Sequence, residues 1–265
     1  VAGFDLTGRV ALVTGGAQGI GKAVALALAD SGADVAVAAR GPEEVTVGKS
    51  RPHEPVDSVV EEIRARGRQS MGITADVRLE DDVTSMVQQA LDEFGRIDIL
   101  ANVVGGSWGE TFRGGSLMEL TPHDLIEGYR LNVVTMFQVS KAVVPHMKAQ
   151  GKGVIVNIAS GVGRAGSPGQ GGYGAAKAAV INMSMTMALE WAPEIRVNSI
   201  ALGAIYSPHR PMWADESQPP RDPAARVALG RQGTPEEVAG IVAWLASDNA
   251  GYVNGTVIDA HGGRR

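Results

Sequence analysis

The sequence contains no cysteine. That excludes disulfides, thiolate nucleophiles and cysteine-bound metal, and it suits a reducing, cytoplasmic setting. It has no block of like charge; the net charge is −5 and the pI near 5.6. Nucleic acid and anionic membrane are therefore not expected partners. No apolar run approaches the roughly 18 residues of a membrane helix. The opening "VAGFDLTGRVALVTGG" lacks the basic start and apolar core of a signal peptide. The five histidines lack metal-ligand spacing such as H-x-x-x-H, so no metal is expected. Neither an internal linker nor a repeat interrupts the chain, which reads as one domain over 1–265.

What is present is a regular alternation. Apolar residues make up 44% and charged residues 20%, ample for a large core. Short apolar runs at 9–14, 33–39, 70–77, 97–104, 153–160, 195–202 and 255–260 predict seven strands. Helical patterns fall between them at about 19–31, 56–66, 81–95, 121–149, 171–191 and 234–247. Thr121 before Pro122 reads as an N-cap with proline at the first helical position. Thr234 with Glu237 three residues on reads as a capping box. Continuous apolar strands separated by helices predict an α/β fold: a doubly wound, Rossmann-type parallel sheet of about seven strands, helices on both faces. In such sheets ligands bind beyond the carboxyl ends of the strands.

"TGGAQGIG" (14–21) stands where the first strand turns into the first helix. Gly15 allows a tight turn, Gly19 lets the backbone approach a phosphate, and Gly21 lets the helix pack on the strand. The amides at the helix start, around Gln18, Gly19 and Ile20, then face the anion. The spacing differs from G-x-G-x-x-G, and no G-x-x-x-x-G-K-[ST] phosphate loop occurs. Tyr173 and Lys177 lie four residues apart in "GQGGYGAAKAAV", on one face of a predicted helix amid small residues.

With these motifs in order, the chain resembles the short-chain dehydrogenase/reductase family, in particular members like the 3-oxoacyl-carrier-protein reductases. T-G-x-x-x-G-x-G matches at Thr14, Gly15, Gly19 and Gly21; "NVVG" (102–105) stands for N-N-A-G; Asn132 lies in the helix between strands four and five. Ser160 follows strand five, Y-x-x-x-K is Tyr173 and Lys177, and "LGAIYS" (202–207) stands for P-G-x-I-x-T. The resemblance implies hydride transfer between a nicotinamide cofactor and a carbonyl/secondary alcohol pair. It implies Tyr173 as acid/base, Lys177 as its tuner and ribose ligand, Ser160 as partner of the substrate oxygen, and Asn132 as holder of a relay water. A phenol suits this work if its pKa, ordinarily about 10, is drawn towards neutrality by nearby cations.

Cofactor contacts are expected from Gly15, Gln18, Gly19, Ile20, Gly21, Arg40, Asp76, Val77, Asn102, Gly105, Tyr173, Lys177, Gly203, Ile205 and Ser207. Ala39 occupies the position where NAD-dependent members carry Asp, and Arg40 follows it. This favours NADP(H) over NAD(H), with Lys49 and Arg51 as further candidate phosphate ligands. Against it, Gln18 stands where NADP-dependent relatives often carry a second base. Val103, Val104, Leu202 and His261 depart from the family pattern without removing a catalytic group. A lid at about 205–233 should roof the substrate, with Trp108, Met212 and Trp213 lining the pocket. The family implies a homotetramer, or a homodimer, packed through the helices at 121–149 and 171–191. Two alternatives stand beside this reading: an NAD-dependent dehydrogenase of ring alcohols or steroids, and a non-catalytic NADP(H) sensor.

Overall fold

The structure, a computed structural model, describes residues 4–41, 55–107, 109, 111–207 and 222–263. Trp108, Met212, Trp213, Lys49 and Arg51 lie outside the described residues. Seven parallel strands form one sheet: β1 (Val10–Thr14), β2 (Asp34–Ala39), β3 (Ser70–Thr74), β4 (Ile99–Asn102), β5 (Gly153–Ser160), β6 (Ile195–Leu202) and β7 (Val257–Ala260). Their spatial order is β3-β2-β1-β4-β5-β6-β7, so the winding reverses between β1 and β4.

The helices are α1 (Gly19–Asp30), α2 (Val56–Arg64), α3 (Glu80–Phe94), α4 (Pro122–Tyr129), α5 (Thr135–Ala149), α6 (Gly171–Glu190) and α7 (Pro235–Ala246). The apolar strands are buried on both faces, and alternate residues feed two cores. Ala11, Val13, Val35, Val37 and Val156 pack with Val24, Leu28, Val59, Val242 and Leu245 from α1, α2 and α7. Leu12, Ala36, Leu100 and Ile155 face the other way, onto Met86, Val139, Val143 and Val180 from α3, α5 and α6.

Both capping expectations hold. Thr121 and Asp124 form a reciprocal capping box at α4, as Thr234 and Glu237 do at α7. The single helix expected over 121–149 is corrected. A π-helical turn at Arg130–Val134 separates α4 from α5, an extra residue per turn that hydropathy cannot signal. The third and fourth strands also end early, at Thr74 and Asn102. Their apolar tails become loops because that is where the chain leaves the sheet.

Candidate active site

The loops after β1 and β4 meet at the point of reversal, where this fold class opens its ligand crevice. Thr14 ties the two strand ends together: its Oγ1 donates to the Ala101 carbonyl at 3.4 Å and accepts from the Val103 amide at 3.3 Å. Gly15 and Gly19 adopt positive φ, +68° and +52°, a region that strains any residue with a Cβ. A Cβ on Gly21 would overlap the Gly15 carbonyl. The turn is therefore compressed onto the start of α1, whose first amides lack intrahelical acceptors. Such amides suit an anion, and the pyrophosphate of a dinucleotide fits the expected loop.

The other half of the site is assembled by close backbone approach. Ser160 ends β5 and a tight turn follows at Gly161–Gly163. That turn lies directly on α6: a Cβ on Gly163 would stand 2.7 Å from the Lys177 main chain, and one on Gly174 would stand 2.8 Å from the Val162 carbonyl. The contact sets Ser160 beside Tyr173; Ser160 Oγ itself donates to the Leu202 carbonyl and accepts from the Val162 amide, both at 3.4 Å. Lys177 is 3% exposed. Its Nζ donates to the Ile158 carbonyl at 2.8 Å and lies 5.7 Å from the centre of the Tyr173 ring.

Asn132 sits in the π-turn. Its Oδ1 accepts from the Gly106 amide at 3.0 Å, and its Nδ2 donates to the carbonyls of Gly106 and Gly128 at 2.8 and 2.9 Å. The position a Gly105 Cβ would take is 2.6 Å from Asn132 Oδ1 and 2.9 Å from Lys177 Nζ. Gly105 is thus where Asn132 and Lys177 converge, and a Cβ there would push both side chains aside. The four residues expected to act together are brought together, although 45 positions separate Asn132 from Lys177 in the chain. Both polar atoms of the Asn132 side chain are thus engaged.

In the protein alone, burial pushes the Tyr173 phenol above its ordinary pKa, only partly offset by the Ser160 hydroxyl beside it. Burial also lowers Lys177, to about 8, because the ammonium has lost its water. Asn102 ends β4. Its side chain turns into the core, where Nδ2 donates to Ser140 Oγ at 3.0 Å and Asn157 Oδ1 at 2.9 Å. What Asn102 can offer a cofactor is its main chain.

Farther along the sheet edge, Arg40 follows β2 and Asp76 and Val77 follow β3. The Ala75 amide donates to the Ala39 carbonyl at 3.0 Å, which sets Arg40 and Asp76 on neighbouring strand ends. Asp76 is gripped by Arg78, a residue the sequence reading passed over. The Arg78 Nε donates to both carboxylate oxygens at 3.0 and 2.8 Å, its backbone amide donates to Oδ1 at 2.9 Å, and its Nη2 donates to Oδ2. Burial works against the Asp76 charge, yet these bonds, with the charges of Arg78 and Arg40, outweigh it and hold the carboxyl below its usual pKa. The only sequence signal for Arg78 was an arginine two places after an acid at a strand end.

Gly203, Ile205 and Ser207 follow β6. The Tyr206 amide donates to Gly233 O at 2.7 Å, and the Gly233 amide donates to Ala204 O at 3.0 Å. Ala228 and Leu229 donate to the carbonyls of Gly263 and Gly262 at 2.8 and 3.0 Å. Both described feet of the 205–233 segment are therefore fastened to the sheet's carboxyl edge. Beside Tyr173, a narrow pocket is lined by Gly106, Phe112, Arg113, Leu120 and Gln170. Among the described residues there is no cluster of His, Asp or Glu able to hold a metal. No helix among them is long and apolar enough to cross a membrane.

A parallel sheet with a glycine-lined phosphate turn at its point of reversal, and a phenol and amine beside it, defines a Rossmann-type oxidoreductase dependent on NAD(P). A family model described as enoyl-(acyl carrier protein) reductase matches residues 15–265. The 3-oxoacyl-[acyl-carrier-protein] reductase of Thermotoga maritima is 37% identical over 97% of this chain and 98% of its own. A short-chain dehydrogenase/reductase from Mycobacterium marinum superposes with a TM-score of 0.82 at 35% identity, over 98% of this chain and 96% of that one. A 7α-hydroxysteroid dehydrogenase, solved with NADH and 7-oxo glycochenodeoxycholic acid, gives 0.82 at 27% identity over 98% and 95%. The chain belongs to the short-chain dehydrogenase/reductase family.

Proposed function

We propose that this protein reduces a ketone to a secondary alcohol with NADPH, and runs the reverse reaction with NADP+. The observation that carries the reading is buried Lys177, its Nζ held on the Ile158 carbonyl 5.7 Å from the Tyr173 ring centre, with Ser160 beside the phenol. Reduction builds negative charge on the substrate oxygen, which needs a proton as it forms. Tyr173 Oη gives that proton, and Ser160 Oγ donates a hydrogen bond that holds the oxygen in place. A phenol held above its ordinary pKa is protonated at neutral pH and is ready to act as the acid. Lys177 and the main chain of Asn132 lead the replacement proton from solvent by way of a bound water. The nicotinamide, when bound, supplies the two electrons with hydrogen.

The residues present fit that cofactor. Gly15, Gln18, Gly19, Ile20 and Gly21 would hold the pyrophosphate, Asp76 and Val77 the adenine, and Tyr173 and Lys177 the nicotinamide ribose. Gly105 and the main chain of Asn102 would flank it, with Gly203, Ile205 and Ser207 on the carboxamide side. Arg40 following Ala39 supports NADP(H): a cation there accepts a 2′-phosphate, whereas an acid would repel it. The segment 205–233 is read as a lid over the substrate, within one domain spanning 1–265. Leu125, Ile126, Tyr129, Phe137, Met185 and Leu189 are exposed on α4, α5 and α6. That apolar face suits a homotetramer, and a soluble, cytoplasmic enzyme suits the relatives.

Likeness to the Thermotoga reductase supports a 3-oxoacyl thioester as substrate. Likeness to the 7α-hydroxysteroid dehydrogenase supports a second reading, oxidation of a ring alcohol with NAD+. A panel of 3-oxoacyl thioesters, cyclic ketones and steroid alcohols, each assayed with NADPH and NADH, separates them. Turnover of a thioester with NADPH is expected. Turnover of ring alcohols with NAD+ alone would establish the second reading, and no turnover with tight NADPH binding would establish a sensor.

A further inference from the structure

We propose that Asn157 is a positioning residue for hydride transfer: through Ser184 it sets the height of α6 on β5, and so places Lys177 and Tyr173. The inference rests on the reductase reading above and deepens it. Asn102, Asn157 and Ser199 hold matching positions on β4, β5 and β6, a polar row inside an otherwise apolar sheet. Asn157 and Ser199 are 0% exposed and Asn102 is 5% exposed. Two atoms of the row, Asn102 Oδ1 and Ser199 Oγ, have no hydrogen-bond partner among the described residues. A buried polar row left partly unmet costs stability relative to apolar side chains. What the bonds that are made supply is a defined position.

Those bonds have a fixed direction. Ser140 on α5 and Ser184 on α6 are buried, and each gives its hydrogen to the carbonyl one turn back, Met136 and Val180, at 2.7 Å. Each hydroxyl oxygen is then left to accept. Asn102 Nδ2 donates to Ser140 Oγ and to Asn157 Oδ1, and Asn157 Nδ2 donates to Ser184 Oγ at 2.9 Å. The chain of bonds ties α5 to α6 through two strands. Lys177 lies two turns before Ser184 on α6, and its Nζ donates to the carbonyl of Ile158, the residue after Asn157. Seven residues span about 10 Å of helix, so two bonds pin α6 to β5 at separate points. The lysine arm is flexible and can follow a shift of its helix. The Asn157–Ser184 link is short and packed on all sides, and it is the one that fixes the height. Because α5 continues from the π-turn that carries Asn132, the same chain spaces Asn132 from Tyr173.

The test compares the full chain with Asn157→Leu, Ser184→Ala and the double variant. Ser184→Ala strands a buried N–H of Asn157, and Asn157→Leu strands one of Asn102, so both should lower the melting temperature. The double variant exchanges the pair for two apolar side chains and should recover part of that loss. Single-turnover reduction of a 3-oxoacyl thioester and of a cyclic ketone reads the chemistry. It should stay slow in the double variant, by about thirtyfold, short of the hundredfold that a displacement of about 1 Å can cost. NADPH should bind about fivefold more weakly, because its nicotinamide ribose is assigned to Lys177. Adenosine 2′,5′-bisphosphate, which stops short of that ribose, should change by less than about twofold. Reduction restored to the parent rate in the double variant would make the pair a stabilising contact only and overturn the proposal. Equal weakening of NADPH and the bisphosphate, the mark of a general loosening, would overturn it too. Should the double variant not fold, Ser184→Ala carries the same expectation below its melting temperature, and an unchanged rate there overturns the proposal. An unaltered chain that reduces neither compound would sink the reductase reading with it, whereas an active chain indifferent to these changes sinks this inference alone.

Discussion

The two halves of the crevice are held by different physics. Around Tyr173 the site is buried and built by close approach: Gly163 lies on the α6 main chain, Gly174 of α6 on the Val162 carbonyl, and Gly105 against the side chains of Asn132 and Lys177. Around Arg40 it is a surface corner built by charge, with Arg78 on Asp76. Removing water raises the cost of misplacing a proton donor, so the first half needs exact spacing that glycines alone permit. The second half tolerates solvent and works by attraction, which salt screens within about 10 Å at 0.1 M. Chemistry is assigned to the rigid half and selection between cofactors to the charged one.

The largest effect should come from the buried half. Tyr173→Phe removes the proton donor and keeps the ring. Single-turnover reduction should slow by about a thousandfold, within the range for a lost acid/base, while the NADPH dissociation constant changes less than twofold. Retained turnover would break the comparison at its root. Gly163→Ala tests spacing without touching a polar group. A Cβ there collides with the Lys177 main chain, and kcat should fall by about a hundredfold. The denaturation midpoint should drop as well, by an overpacking cost of about 1–3 kcal/mol.

Next in size is a pH effect. The folded pKa of Lys177 is about 8 against 10.5 for an unburied lysine. Between those values the unfolded chain binds more protons than the native one, so stability rises with pH across the window. Below about pH 8 both forms are charged and the buried ammonium costs the fold up to about 3 kcal/mol. The penalty is relieved as pH climbs towards 10. Urea unfolding at pH 7.5 and 9.5 should show this rise in the unaltered protein and not in Lys177→Met. Tyr173 acts oppositely and only higher, since an acid held above 10 makes the fold less stable as the pH passes that value.

The smallest effect belongs to the charged half. Arg40→Ala should weaken NADPH about tenfold with NADH little changed. Raising salt from 50 to 500 mM should shrink the gap between the cofactors in the unaltered protein. A salt-independent preference would show that this corner does not select by charge.

The alternation of apolar runs and helical periods was enough to order seven strands, because buried parallel strands must be apolar throughout. Thr121 and Thr234 announced their helices because a cap is a local bond. The phosphate turn was equally legible, since Gly15 and Gly19 carry φ values that other residues avoid. Asn132, Ser160, Tyr173 and Lys177 could be picked out by motif, but not their geometry. The π-turn was invisible, because hydropathy does not record one added residue in a turn. Arg78 went unnoticed because its meaning depends on Asp76 facing it and on Arg40 arriving from another strand.

By itself, then, the sequence determined the alternating elements, the glycine turn after β1 and the types of side chain available for chemistry. Those depend on local backbone preference and on burial period, which neighbouring residues encode. Only the tertiary structure decided that Tyr173 is raised and Lys177 lowered, that the Asn132 amide is spent on Gly106 and Gly128, and that two arginines share one corner. Each of these depends on lost water or on a partner far along the chain, and desolvation and long-range contact exist only once the sheet has closed.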